Sequence, residues 1–156
     1  MKARHAVLVA LAAAVTLTSV AAAGPGAAKQ RVAINMKILQ EESFVLTPLQ
    51  AGALKPDSGT MSGIWSNVPS HVVMREGQKV DIHPAVWTLE GKRGSLTIRE
   101  RAEWVDVGND DAVAIGTWKV VRGTGQYAQI AGGGRSGHAG LGRKWYARYE
   151  GFLTLP

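Results

Sequence analysis

Ser95-Leu96-Thr97-Ile98-Arg99-Glu100-Arg101-Ala102-Glu103-Trp104-Val105-Asp106-Val107 alternates with a period of two. Leu96, Ile98, Ala102 and Trp104 share one face with Glu100. Thr97, Arg99, Arg101 and Glu103, then Val105 and Val107, share the other. Successive side chains of an extended chain point to opposite sides, so this run reads as a strand with one buried face. Glu90-Gly91-Lys92-Arg93-Gly94 before it and Gly108-Asn109-Asp110-Asp111 after it read as tight hairpin connections.

The same alternation continues outward. It predicts strands over 31–39, 43–49, 59–68, 79–90, 111–121 and 144–155. Val32, Ile34, Met36 and Ile38 line up on one face of the first, and Ala85, Trp87 and Leu89 on one face of the fourth. Pro56-Asp57-Ser58-Gly59 and Arg75-Glu76-Gly77-Gln78 supply further turns. No capped amphipathic helix is legible after residue 30. Seven or eight strands joined by tight turns predict an antiparallel all-β sandwich or barrel. Several strands are apolar on both faces, which predicts a filled interior and an exterior partly covered by a homo-oligomer contact, a dimer or trimer.

Gly116-Thr117-Trp118-Lys119-Val120-Val121-Arg122-Gly123-Thr124-Gly125-Gln126-Tyr127-Ala128 is the most distinctive stretch, and Gly132-Gly133-Gly134 follows closely. Gly123-x-Gly125-x-x-Ala128 formally satisfies a dinucleotide fingerprint. That fingerprint needs a helix whose N-terminus holds the pyrophosphate. Three successive glycines are incompatible with a stable helix there, and the acidic residue expected about 20 positions on is missing. The stretch reads instead as strand, Gly turn, a short helical or turn segment centred on Tyr127 to Ile130, and another strand. Tyr127 and Ile130 are expected to plug one end of a barrel.

These residues also carry a resemblance. Trp118, Val120, Val121, Gly123, Thr124, Gly125, Tyr127, Ala128 and Gly132, with Gly94 to Ile98 upstream and Tyr149-Glu150-Gly151 downstream, resemble the allene oxide cyclase and dirigent protein superfamily. The resemblance covers roughly residues 90 to 154. It implies an eight-stranded antiparallel β-barrel, often trimeric, with an apolar cavity. It also implies a cofactor-independent cyclisation or coupling steered mostly by shape. The matched motif is a structural turn and assigns no catalytic residue.

The chain starts with a positive segment, Lys2, Arg4 and His5, then an uncharged apolar run from Ala6 to about Val20, then Ala21-Ala22-Ala23. This is the pattern of a cleavable secretory signal peptide. The apolar run falls short of the ~20 residues that cross a bilayer. The expected organisation is a signal peptide over 1–23, a flexible linker over 24–30 and a β-barrel domain over 31–156. Removing 23 of the 156 residues, Lys2 and Arg4 among them, lowers the net charge from +6 to +4. The expected location is periplasmic or secreted, with no membrane anchor after cleavage. A lipid-anchored form is excluded because the chain has no cysteine, and stability must then come from packing alone. The cations are scattered. A basic face for anionic surfaces is one reading and an ordinary solvated exterior the other; no nucleic-acid partner is expected.

A cyclising barrel needs an apolar pocket with one or two polar groups in it. Glu100 is the best candidate, because alternation places it among Leu96, Ile98, Ala102 and Trp104. The alternatives are an arginine partner at a barrel end, or an outward-facing strand face. Tyr146 and Tyr149 lie on opposite faces of the last strand, so one is internal. Glu100 and Tyr149 are the candidate catalytic residues. Trp104, Trp118, Tyr127 and Trp145 are the candidate ligand-binding residues, with core filling as the competing role. His71, His83 and His138 lack metal-ligand spacing, and neither a metal nor a cofactor is expected. Two functions follow. One is an exported barrel that binds an apolar small molecule in its lumen, extended to a cofactor-independent cyclase or isomerase. The other is a non-enzymatic exported binding or structural barrel.

Overall fold

Among the described residues, nine strands form in chain order: β1 (Lys29–Ile38), β2 (Ser43–Pro48), β3 (Asp57–Ile64), β4 (His71–Arg75), β5 (Gln78–Gly91), β6 (Gly94–Gly108), β7 (Asp111–Gly123), β8 (Ala131–Leu141) and β9 (Lys144–Thr154). The computed structural model describes residues 28–39, 41–64 and 70–156. The expected signal peptide, most of the linker and Trp65 lie outside these. Lys29 and Gln30, placed in the linker on sequence grounds, are the first residues of β1.

Every pairing is antiparallel, in the order β3-β2-β1-β9-β8-β7-β6-β5-β4. The sheet closes in a ring because β3 also pairs with β5, from Gly59 opposite Gly91 to Ile64 opposite Val86. The other half of β5 pairs with β4, from His71 opposite Ile82 to Arg75 opposite Gln78. Sequence reading missed β4. It is five residues long and mostly exposed on both faces, so it carries no alternation to detect.

The inward faces follow the predicted alternation. Val32, Ile34, Met36 and Ile38 of β1, Phe44 and Leu46 of β2, Ala85, Trp87 and Leu89 of β5, and Leu96 and Ile98 of β6 form one buried cluster. Fully burying each large apolar side chain contributes about 1.5–3 kcal/mol. In a chain without cysteine, this packing is the main source of stability.

One end of the ring is closed by the turn after β7. Gly125–Tyr127 forms one turn of 3₁₀ helix, close to the predicted helical segment. Gly125 has φ +58 and a Cβ there would press on the Arg93 carbonyl, so glycine is required twice over. Tyr127 is fully buried, and its hydroxyl donates to Asp57 Oδ2 at 3.0 Å. The Asp57 carboxylate also accepts from the backbone N–H groups of Ser58, Lys92 and Arg93 at 2.9, 3.0 and 3.2 Å. One carboxylate thereby ties β3, the β5–β6 hairpin and the plug together.

The strand expected after the Tyr127–Ile130 segment is β8, despite its glycine content. Ala131–Leu141 is a regular strand paired on both sides. Gly134 lies between Trp118 of β7 and Gly151 of β9 on the inward face. A Cβ on it would press on the Glu150 carbonyl and the Gly151 backbone, and the neighbouring Trp118 Nε1 donates to the carbonyls of Arg135 and Glu150 at 3.2 and 3.3 Å.

Candidate functional site

Inside the ring, the rungs nearest the other end carry polar groups instead of aliphatic ones. Glu100 projects inward from β6 and is 2% exposed. Ser136 on β8 lies opposite Tyr149 on β9, and His138 lies one inward position further along β8. All three side chains converge on the Glu100 carboxylate. Its Oε1 accepts from Ser136 Oγ and contacts His138 Nε2 at 2.6 Å. Its Oε2 accepts from the Tyr149 hydroxyl at 2.7 Å and from Trp87 Nε1 at 3.0 Å. Four groups from β5, β8 and β9 therefore hold one carboxylate from β6.

The electrostatics follow from this geometry. Burial pushes the Glu100 carboxyl up, but the hydrogen bond from His138, the His138 charge when that ring is protonated, and bonds from Ser136 and Tyr149 outweigh it. The net shift is below the ordinary value, so Glu100 is an anion at neutral pH. Burial raises the Tyr149 hydroxyl well above 10, and the neighbouring Glu100 charge raises it further. Tyr149 is therefore a fixed neutral donor. A carboxylate only accepts hydrogen bonds, so the proton on the 2.6 Å contact sits on His138 Nε2. His138 Nδ1 is buried and has no hydrogen-bond partner among the described residues.

A small recess reaches this cluster. Its volume is about 30 Å3, and Ile38, His83, Trp87, Glu100, Trp104 and His138 are among its walls. It adjoins a wider vestibule of about 380 Å3 that shares His83, Trp104 and Trp145 with it. Trp104 stands 5.1 Å, centroid to centroid, from both the His138 and the Trp145 rings. A second histidine–carboxylate pair, His83 Nε2 to Asp81 Oδ2 at 3.1 Å, lies at the mouth. A larger concavity of about 890 Å3 covers Asn35, Lys37, Val45 and Tyr146 on the outer face. It gathers no buried polar side chains other than His138, whose polar contacts belong to the interior cluster, so the interior recess is the candidate site.

The structure brings together four of the six residues singled out from sequence. Glu100 and Tyr149 bond directly, and Trp104 and Trp145 wall the opening. Glu100 has neither the arginine partner nor the outward face that were the alternatives. Tyr149 is the internal tyrosine, fully buried, while Tyr146 is 38% exposed. Trp118 is buried edge-on to Tyr149, with centroids 6.2 Å apart, and does not line the recess. Tyr127 belongs to the plug at the opposite end, where its hydroxyl is taken by Asp57. Sequence reading missed Ser136, weighed His138 as a metal ligand, and placed Trp87 on a strand face without giving it this partner. Three or more metal-ligating side chains grouped to hold an ion do not occur among the described residues. No protein-family model, no curated protein and no solved structure matches this chain.

Proposed function

We propose that the chain is an exported β-barrel, closed by eight of its nine described strands with β4 added along β5, that admits an apolar small molecule through the vestibule beside the packed Trp104 and Trp145 rings and moves a proton on it, as a cofactor-independent isomerase or cyclase. One observation carries this reading. His138 is held through Nε2 by a buried, ionised glutamate, while its Nδ1 is buried with no hydrogen-bond partner among the described residues. An imidazole anchored in this way by a carboxylate is a general base whose protonated form the carboxylate stabilises. His138 Nδ1 takes a proton from the bound molecule, the imidazolium is balanced by Glu100, and the same proton returns to another atom of the substrate. Tyr149, Ser136 and Trp87 keep the carboxylate in place and contribute no proton. The vestibule of about 380 Å3 takes the apolar body. The 30 Å3 recess takes only the reacting end.

The non-enzymatic reading draws on a different observation. The interior between Tyr127 and Trp87 is filled by Leu89, Leu96, Ile98 and their neighbours. Native mass spectrometry of the purified protein separates the two, together with thermal shifts against fatty acids, terpenoid ketones and aromatic polyketides. The binding reading expects a carried ligand or a shift that Trp104→Ala abolishes. An empty protein with no shift across the panel overturns it. A ligand whose chemical form is unchanged by the protein, and equally so by His138→Asn, overturns the catalytic part alone.

A further inference from the structure

The outer face of β6, β7 and β8 carries a chemistry that the recess does not use. Register sets Arg99 directly opposite Lys119, and Lys119 opposite Gly133 and then Phe152. The next rung aligns Arg101, Thr117, Arg135 and Glu150, whose carboxylate is taken by Arg31 and Arg148 rather than by Arg135. Arg122 lies opposite Thr97 on the other side. All five cations are exposed. Arg101 reaches Glu103 only at 3.5 Å, and Arg75 holds that carboxylate at 2.7 Å. Among the described residues, Arg99, Lys119, Arg122 and Arg135 have no ion-pair partner. Like charges directly opposite one another destabilise a sheet, and an anion against this face relieves that repulsion.

Exposed apolar side chains are interleaved with these cations. Ile115 is 72% exposed, Phe152 49% and Val121 48%. Clustered cations with protruding apolar side chains match an anionic bilayer surface, which offers headgroup charge and acyl chains in one plane. The outside of a closed sheet is convex and provides no channel for a duplex. Phe152 is the one aromatic side chain among these residues, and single-stranded nucleic acid is held by successive stacking platforms. A second copy of the same face would bring the same uncompensated charges together. We infer that this face of β6–β8 is a peripheral docking surface for an anionic phospholipid bilayer, with Arg99, Lys119, Arg122 and Arg135 on the headgroups and Ile115 and Phe152 at the acyl boundary.

The test is sedimentation of the full chain with vesicles of phosphatidylcholine alone or with added phosphatidylglycerol. Charge-reversed variants are made in the same full chain, so any contribution from residues outside the patch cancels. Binding is expected only with phosphatidylglycerol, and is expected to weaken as salt is raised. The variant R99E/K119E is expected to bind at least about tenfold more weakly, as removal of several surface cations implies, with unchanged thermal melting. Ile115→Ser is expected to weaken binding without changing its salt dependence. R99Q/K119Q, which removes charge without reversing it, provides the comparison if R99E/K119E melts early. Equal binding to both vesicle types, or undiminished binding by the charge variants, overturns the inference. Tighter binding to heparin or to a single-stranded oligonucleotide than to phosphatidylglycerol vesicles at equal charge also overturns the assignment to lipid.

Discussion

Glu100 shows how donor chemistry restricts a substitution. Its four partners include the Trp87 indole N–H, which can only donate. In Glu100→Gln the amide oxygen must therefore face Trp87 and Tyr149, leaving the NH₂ toward Ser136 and His138. His138 Nε2 then has to accept, which moves the imidazole proton to Nδ1. The expected cost is about 1–3 kcal/mol of stability, for replacing charged hydrogen bonds by neutral ones, read from urea midpoints. The tautomer change is read from ¹⁵N shifts of the histidine ring. An unchanged Nε2–H tautomer in this variant would remove the basis for treating Nδ1 as the free base. Glu100→Leu leaves every donor unsatisfied in the interior and is expected to cost more, about 3–5 kcal/mol.

Strand β8 shows where reading by element succeeds and where it stops. Ala131–Leu141 contains five glycines at positions 132, 133, 134, 137 and 140, a composition that suggests a loop. A Cβ on Gly134 would drive into the backbone of Glu150 and Gly151. Gly134→Ala is therefore expected to separate β8 from β9 and lower the melting temperature sharply, as overpacking of about 1–3 kcal/mol implies. At the plug, Tyr127→Phe removes one hydrogen bond and is expected to cost about 1 kcal/mol. Asp57→Ala releases three backbone donors as well and is expected to cost more. Strands β1, β5, β6 and β9 were legible because their alternation reports burial directly. Glu100 and Tyr149 were legible for the same reason. His138 and Ser136 were not, because a strand whose inward positions are mostly glycine shows no apolar period. Once β8 is a strand, parity alone puts Ser136 and His138 on one face. Asp57 was read as a turn residue, and no local signal announces a contact 70 residues away.

At the scale of the molecule, the buried cluster sets the pH range of stability. The Glu100 carboxyl is lowered in the folded state, so its contribution is complete above its ordinary value of 4.5 and is lost as pH falls further. Tyr149 is raised, so its contribution is complete below 10 and is lost as pH rises beyond that. Chemical-denaturation curves across pH are expected to show both limbs. Glu100→Gln should flatten the acid limb and Tyr149→Phe the alkaline one. Closure itself depends on residues far apart in sequence, since Lys29 pairs with Thr154 and Ile38 with Trp145. Such distant pairings form slowly, and refolding is expected to be limited by the docking of β9 on β1.

That pairing also means the strand path has no fixed beginning. Lys29 and Thr154 are neighbours across a ladder, and the Leu155 N–H donates to the Ala28 carbonyl at 3.0 Å. A peptide link between these ends would alter no strand, and a new pair of ends could be opened at the exposed Gly142-Arg143 turn. Such a circular permutant is expected to keep the Glu100–Tyr149 bond and the native near-ultraviolet tryptophan spectrum. Deleting β9 should abolish both, because a ring lacking one stave exposes two unpaired edges at once.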